Sequence, residues 1–240
     1  MRLDKLLAHC GFGTRKEVKD IIKKGYVSVN NQIVKKDKTQ VDPTKDEIKV
    51  DDEKVVYEEF VYYMLNKPAG YVSATEDALY PTVVELIDDY YRDDLFPVGR
   101  LDIDTEGLLI LTNDGILAHQ LLSPKNHCPK KYYAKIKGIV NENDIEIFFD
   151  GVIIDNDYKC QSAYLKILSS DIENSEVEII IYEGKFHQIK KMFKAVGKEV
   201  IYLKRICMKN LALDDTLTLG SYRRLTSEEL DRLKDKSVLQ

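Results

Sequence analysis

Residues 107–112 read Gly-Leu-Leu-Ile-Leu-Thr: four consecutive large apolar side chains, closed by Asn113-Asp-Gly115 and preceded by the polar stretch Asp102-Ile-Asp104-Thr-Glu106. The run falls far short of the roughly 20 apolar residues that cross a bilayer. Apolar side chains on both faces require cover on both faces, so the run predicts a fully buried strand. The acidic loop before it is therefore anchored to the interior, with Gly99 and Gly107 fixing its two ends.

The first fifty residues read as a compact unit of another kind. Leu3, Leu6, Leu7 and Cys10 lie at helical spacing. Thr14-Arg-Lys-Glu17 has the form of a capping box, followed by the apolar stripe Val18, Ile21, Ile22 and a stop at Gly25. Tyr26–Val29, Asn30-Asn31 and Gln32–Val34 predict strand, tight turn and strand, and Glu47–Val50 offers one more. The acidic stretch 51–59 is expected to hold the linker. Beyond it, strands are predicted at Phe60–Leu65, Tyr132–Ile136, Tyr164–Leu168, Val177–Tyr182 and Ile201–Met208. Helices are predicted at Pro81–Ile87, opened by its proline, and at His187–Val196. The expected fold class is α/β of the α+β type. A small helix–helix–hairpin domain over 1–55 precedes a domain over 60–240 built on a mixed, mainly antiparallel sheet.

The net charge of −5 at first argues against a nucleic-acid partner. Its distribution argues otherwise. Residues 1–50 hold 12 basic and 7 acidic residues, whereas 51–100 hold 4 basic and 12 acidic. Residues 125–137 carry five lysines and no acid, and 185–205 carry seven basic residues against Glu199 alone. Basic islands on an acidic average are compatible with phosphate binding on one face, and equally with solvated surface. The four cysteines, at 10, 128, 160 and 207, form no Cys-x-x-Cys pair, which leaves no zinc or redox motif. Scattered thiols and the absence of an apolar leader point to the cytoplasm, with no membrane partner.

Within 99–115, two readings of the carboxylates compete. Asp102, Asp104 and Glu106 imitate the start of a calcium loop, but position 12 of such a loop falls on Asn113, where a bidentate glutamate is needed. No metal is expected. Spacing alone otherwise leaves an acidic turn feeding a core strand.

Resemblance adds what spacing lacks. Gly99-Arg100-Leu-Asp102, followed by Thr105-Glu-Gly107 and the apolar strand, is similar to the central motif of the pseudouridine synthases. Asn66-Lys67-Pro68-Ala-Gly70 resembles the family's first motif, and Lys130-Lys-Tyr132 the segment that carries its active-site tyrosine. Glu183-Gly-Lys-Phe-His187-Gln-Ile189-Lys190-Lys191-Met-Phe193 resembles its last motif. Residues 2–50, with Arg2-Leu-Asp-Lys5 and Gly25-Tyr-Val-Ser-Val-Asn30, look like the S4 RNA-binding module. Together they resemble the S4-containing ribosomal RNA pseudouridine synthases of the RsuA family, most of all the small-subunit (16S) enzymes.

The resemblance implies that Asp102 is the nucleophile in converting uridine to pseudouridine, without cofactor or nucleotide. It implies that Arg100 displaces or replaces the flipped base, Tyr132 stacks on it, Lys190 pairs with Asp102, and Ile189 packs behind them. It implies RNA contacts from Arg2, Lys5, Arg15, Lys16, Lys19, Asn30, Lys67 and Lys191. The expected partner of a monomeric chain is small-subunit ribosomal RNA or an assembly intermediate of that subunit. Large-subunit (23S) RNA as substrate, and a non-catalytic ribosome-assembly protein, are the competing expectations. None of the four histidines is assigned a role.

Overall fold

A computed structural model of the chain describes residues 1–89, 94–155 and 157–235. Two compact units are distinguished: Met1–Val61 with Asp88–Asp94, and Tyr62–Ile87 with Leu95–Gln240. Positions 236–240 of the expected second domain lie outside the described residues.

The first unit contains α1 (Leu3–His9), α2 (Arg15–Lys24), β1 (Val27–Val29), β2 (Gln32–Ile33), β3 (Ile48–Val50) and β4 (Glu53–Lys54). The Thr14 capping box forms: the Thr14 hydroxyl accepts from the Glu17 amide, and the Glu17 carboxylate accepts from the Thr14 amide. Gly25 ends α2 in the left-handed conformation at φ 85°. Leu3, Leu6 and Leu7 of α1 and Val18 and Ile22 of α2 close over Val27, Ile48 and Val50 of the sheet. Asn30 and Asn31, at φ 51° and 63°, make the tight hairpin turn. Asp51 and Asp52, at φ 48° and 67°, make a second one. The second turn lies within 51–59, the stretch expected to hold the linker. The acidic stretch begins by folding back on β3 as β4, and Val55 joins the core of the unit.

The second unit is built on a sheet of nine strands among the described residues. Its strands are β5 (Tyr62–Lys67), β6 (Phe96–Pro97), β7 (Glu106–Thr112), β8 (Lys130–Lys137), β11 (Tyr164–Ser170), β12 (Asn174–Ile181), β13 (Glu199–Met208), β14 (Leu211–Ala212) and β15 (Tyr222–Arg224). A separate hairpin pairs β9 (Ile153–Ile154) with β10 (Tyr158–Lys159). The main order is β11-β12-β8-β13-β7-β5-β15, and only β13 and β7 pair in parallel. As expected, β7 is buried along its apolar run, with Leu108 through Leu111 inaccessible to solvent. It lies near the middle of the sheet because both its faces need cover.

Three helices lie outside the sequence expectations: α3 (Gly115–Leu122), α4 (Glu142–Asp150) and α6 (Ser227–Lys234). Asn113-Asp-Gly115 was read only as the end of a strand. It also starts α3, because Asp114 caps the amides of Ile116 and Leu117 at 3.0 Å each. The helix expected from Pro81 shrinks to one 3₁₀ turn at Val83–Leu86, with Thr82, not the proline, at its cap. The expected helix near His187 forms as α5 (Gln188–Ala195), and Phe193 on its buried side meets Phe148 of α4 at 4.8 Å between ring centres. No helix among the described residues is long and apolar enough to cross a membrane.

Candidate active site

The acidic loop leaves β6 through Gly99 and enters β7 at Glu106 and Gly107, beside the parallel strand β13. Gly107 has φ 98°, and a Cβ there would run into the Arg205 carbonyl, so no other residue fits this crossing without displacement. The loop is held from three directions. Ser73 Oγ accepts from the Leu101 amide at 3.0 Å, and the Gly70 amide donates to the Ile103 carbonyl at 2.8 Å. Lys67 approaches from β5: its Nζ lies 3.2, 3.3 and 2.8 Å from the carbonyl oxygens of Asp102, Ile103 and Thr105, and 3.1 Å from that of Pro68.

Lys67 was expected to contact RNA; in the structure its side chain is fully buried. An ammonium without solvent must find acceptors within the protein, and it finds the backbone of the acidic loop. Burial pushes its pKa down to about 8, opposed in part by the carboxylates of Asp104, Asp102 and Glu106.

Asp102 lines a cleft whose walls include Arg100, Tyr132, Ile189 and Lys190. Four expected site residues are thus gathered around the fifth. Lys190 Nζ lies 3.4 Å from Asp102 Oδ2, and the nearer partner is Asp104 Oδ1 at 2.5 Å. One ammonium therefore serves both acids. Burial raises the Asp104 pKa, but the Lys190 hydrogen bond and charge outweigh it and leave Asp104 below the ordinary carboxylate value. The cation beside these carboxylates is an amino group, and among the described residues no three acids, histidines or cysteines gather as metal ligands.

Ile189 is buried and Arg100 exposed. Tyr132 is 7% exposed, and alternation along β8 puts it on the same face as buried Ala134 and Ile136. Tyr133 turns to the other face, against Tyr202 and Glu176, where burial and the carboxylate push its hydroxyl up to about 12. Lys191 pairs with Asp155 and lies over the Phe186 ring. His187, unassigned from sequence, has Nε2 3.7 Å from Asp102 Oδ1. Its ring stacks on Phe186, with 3.8 Å between centres. The signal was its place in the last motif, two positions before the residue expected to pack behind Asp102.

The other expected RNA contacts lie on the first unit. Lys5, Arg15 and Lys16 are exposed. Arg2 is committed to Asp4 at 2.6 Å, and Lys19 approaches Asp37 at 4.0 Å. Asn30 is exposed, and its side-chain amide donates to Asp46 and accepts from the Glu47 amide, both at 2.9 Å.

Sequence profiles of two families match the chain: RNA pseudouridylate synthase over residues 61–195 and the S4 domain over 1–48. The chain belongs to the RNA pseudouridylate synthases. Among its relatives is an uncharacterized RNA pseudouridine synthase, YtzG, of Bacillus subtilis (strain 168), 50% identical over 98% of this chain and 99% of its own. The ribosomal small subunit pseudouridine synthase A of Haemophilus influenzae is 37% identical over 97% and 99%. The ribosomal large subunit pseudouridine synthase B of B. subtilis is 39% identical over 97% and 95%. A crystal structure described as a pseudouridylate synthase superposes with a TM-score of 0.69 at 37% identity, covering 97% of this chain and 99% of that one. Pseudouridylate synthases are isomerases, so this synthase is an enzyme with an RNA substrate, joined to an S4 module.

Proposed function

We propose that the protein converts one uridine of small-subunit ribosomal RNA to pseudouridine in the cytoplasm, with Asp102 as nucleophile and no cofactor. Residues 1–55 act as the RNA-binding domain and 60–240 as the catalytic domain. The observation that carries this reading is the cluster lining the cleft: the Asp102 carboxylate with Lys190 at 3.4 Å and His187 at 3.7 Å, beside the buried ring of Tyr132.

The reaction breaks the N1–C1′ bond, joins C1′ to C5, removes a proton from C5 and returns one to N1. Nothing is oxidised or imported, so the chain's own groups are sufficient. A carboxylate nucleophile divides the exchange into two easier steps. The target base must first leave its stack, at a cost of about a few kcal/mol. Arg100 occupies the place it vacates. Tyr132 offers an aromatic face to the flipped ring, and Ile189 keeps water from behind it. Lys190 steadies Asp102 and Asp104 together, and Lys67 holds the backbone that aims Asp102, which supports pre-organisation of the nucleophile.

The relatives named for the small ribosomal subunit support the small-subunit substrate. Large-subunit RNA is the second reading, supported by the relative named for that subunit. The test is a pseudouridine assay on both bacterial ribosomal RNAs with wild type and Asp102→Asn. Product at one small-subunit uridine with wild type alone is expected. Product only in large-subunit RNA moves the substrate, and RNA binding without product from either makes the protein a non-catalytic assembly factor.

A further inference from the structure

Beside the Asp102 cleft lies a second cavity of about 290 Å³, and Arg100 and Tyr132 belong to the walls of both. Small-molecule sites begin at roughly this size, about 300 Å³. Its walls carry four cations, Arg100, Lys130, Lys185 and Arg205, against one carboxylate, Glu183.

Arg205 is the unusual member. It projects from β13, is 2% exposed, and donates from Nε to the Leu108 carbonyl at 2.7 Å. Its Nη2 is buried without an acceptor. Lys130, at the start of β8, donates to the Cys128 carbonyl at 3.0 Å. Among the described residues neither cation has an ion-pair partner. Glu183 keeps its charge in the cavity wall and acts on Lys130 through space, but it forms no ion pair with either cation. Its Oε2 accepts from the Tyr158 hydroxyl at 2.6 Å, and its Oε1 from the Gln161 amide at 3.0 Å and Gln188 Nε2 at 2.7 Å. Two poorly solvated cations without a direct ion pair, in a wall where four cations face one carboxylate, are costly to the folded chain, and an anionic ligand offsets that cost. The cavity is much larger than one anion, and Tyr158 and Tyr182 give it aromatic walls.

We propose that this cavity binds a nucleotide adjoining the target uridine, with its phosphodiester held by Lys130 and Arg205. The shared walls make this placement natural: a strand whose flipped base lies against Tyr132 carries its neighbour into the adjacent space. The site thereby reads sequence context next to the modified base. The placement beside the modified uridine rests on the pseudouridylation reading; the binding of an RNA phosphate does not.

The test is phosphate-ethylation interference on full-length small- and large-subunit ribosomal RNA transcripts, with wild type, Lys130→Gln and Arg205→Met. Lys130→Gln should weaken binding about tenfold, as loss of one charge-assisted contact does. It should also erase one interfering phosphate within two nucleotides of the modified uridine and leave the others. Arg205→Met should erase the same phosphate; if it fails to fold, Lys130→Gln decides alone. An unchanged map, or uniform weakening at every phosphate, overturns the proposal. So does competition by millimolar inorganic phosphate in wild type only, with no phosphate erased, since that assigns the cavity to a free anion. An erased phosphate in an RNA that acquires no pseudouridine keeps the cavity as an RNA site and removes the pseudouridylation reading instead.

Discussion

The N-terminal module and the Asp102 cleft are both rich in cations and hold them in opposite ways. On the module, Lys5, Arg15 and Lys16 stand exposed on helix surfaces without ion-pair partners among the described residues. Around the cleft, Lys67 is buried against carbonyls, Lys190 bridges two carboxylates, and Arg205 is sealed in β13's surroundings. A charge free in water acts through its number and contributes little by its exact place. A charge held among fixed acceptors acts through position. The module should therefore tolerate single changes, and the cleft should not.

The largest effect belongs to the group proposed to attack the uridine. Asp102→Asn keeps the side-chain shape and removes the proposed nucleophile, so kcat should fall by about 10⁴-fold or more with RNA affinity preserved. Single-turnover assays beside filter binding measure the two separately. A variant that keeps its rate would remove the contrast between the regions at its strongest point.

Lys67→Met comes next. The variant leaves the acidic loop's carbonyls without their donor, which costs about 1–3 kcal/mol of stability. Misplacing Asp102 by even about 1 Å should lower kcat on the order of 10²-fold. Thermal melting and single-turnover rates read both. If affinity for RNA fell instead and the rate survived, Lys67 would belong with the module's lysines, in the role its motif first suggested.

The same lysine gives a pH dependence with a definite sign. Its folded-state pKa, about 8, lies below the ordinary lysine value of 10.5. As pH rises through 8 the folded protein loses this proton before the unfolded chain does. Between 8 and 10.5 the unfolded chain binds more protons, so this group makes the fold more stable as pH rises, not less. Activity should move the other way, because the neutral amine has one donor fewer for the Asp102 loop. An alkaline fall in kcat near pH 8 that vanishes in Lys67→Met, without any loss of melting temperature in wild type over the same range, is the expected result. A rate and a melting temperature that fall together would indicate unfolding.

What the sequence made legible follows the same division. Leu108 through Leu111 had no option but a buried strand, and the Thr14–Glu17 box could only start a helix, so the frame of both units was readable. The helix after Asp114 was missed because one Asn-Asp-Gly both ends a strand and caps a helix, and a single local pattern cannot reveal two uses. The turn at the start of the acidic stretch was not foreseen because Asp51-Asp52 adopts left-handed backbone, a conformation commoner in Asn-Gly turns. That Arg100, Asp102, Tyr132, Ile189 and Lys190 would gather at one cleft was legible through their motifs. Burial was not. Lys67 looked like any surface lysine because its four acceptors are backbone atoms, which have no letter in the sequence. Asp104 as the nearer partner of Lys190, and His187 near Asp102, required three segments in space: the loop after β6, the turn before α5, and α5 itself.

The smallest effect tests the other side of the comparison. Arg15 and Lys16 open α2, exposed and next to one another in the chain. If they meet phosphates, each releases counterions on binding, so Arg15→Gln with Lys16→Gln should lower the slope of log Kd against log salt by about 1.4–1.8. At low salt the double variant should bind roughly tenfold more weakly, and near 0.5 M salt the difference should nearly close, because screening removes the same energy from both proteins. Either single variant should show about half the slope change, since exposed charges that act through number add. An effect of one substitution as large as that of both, or one that persists at high salt, would mean that a fixed contact is made there, and the module would then hold its cations in the manner of the cleft.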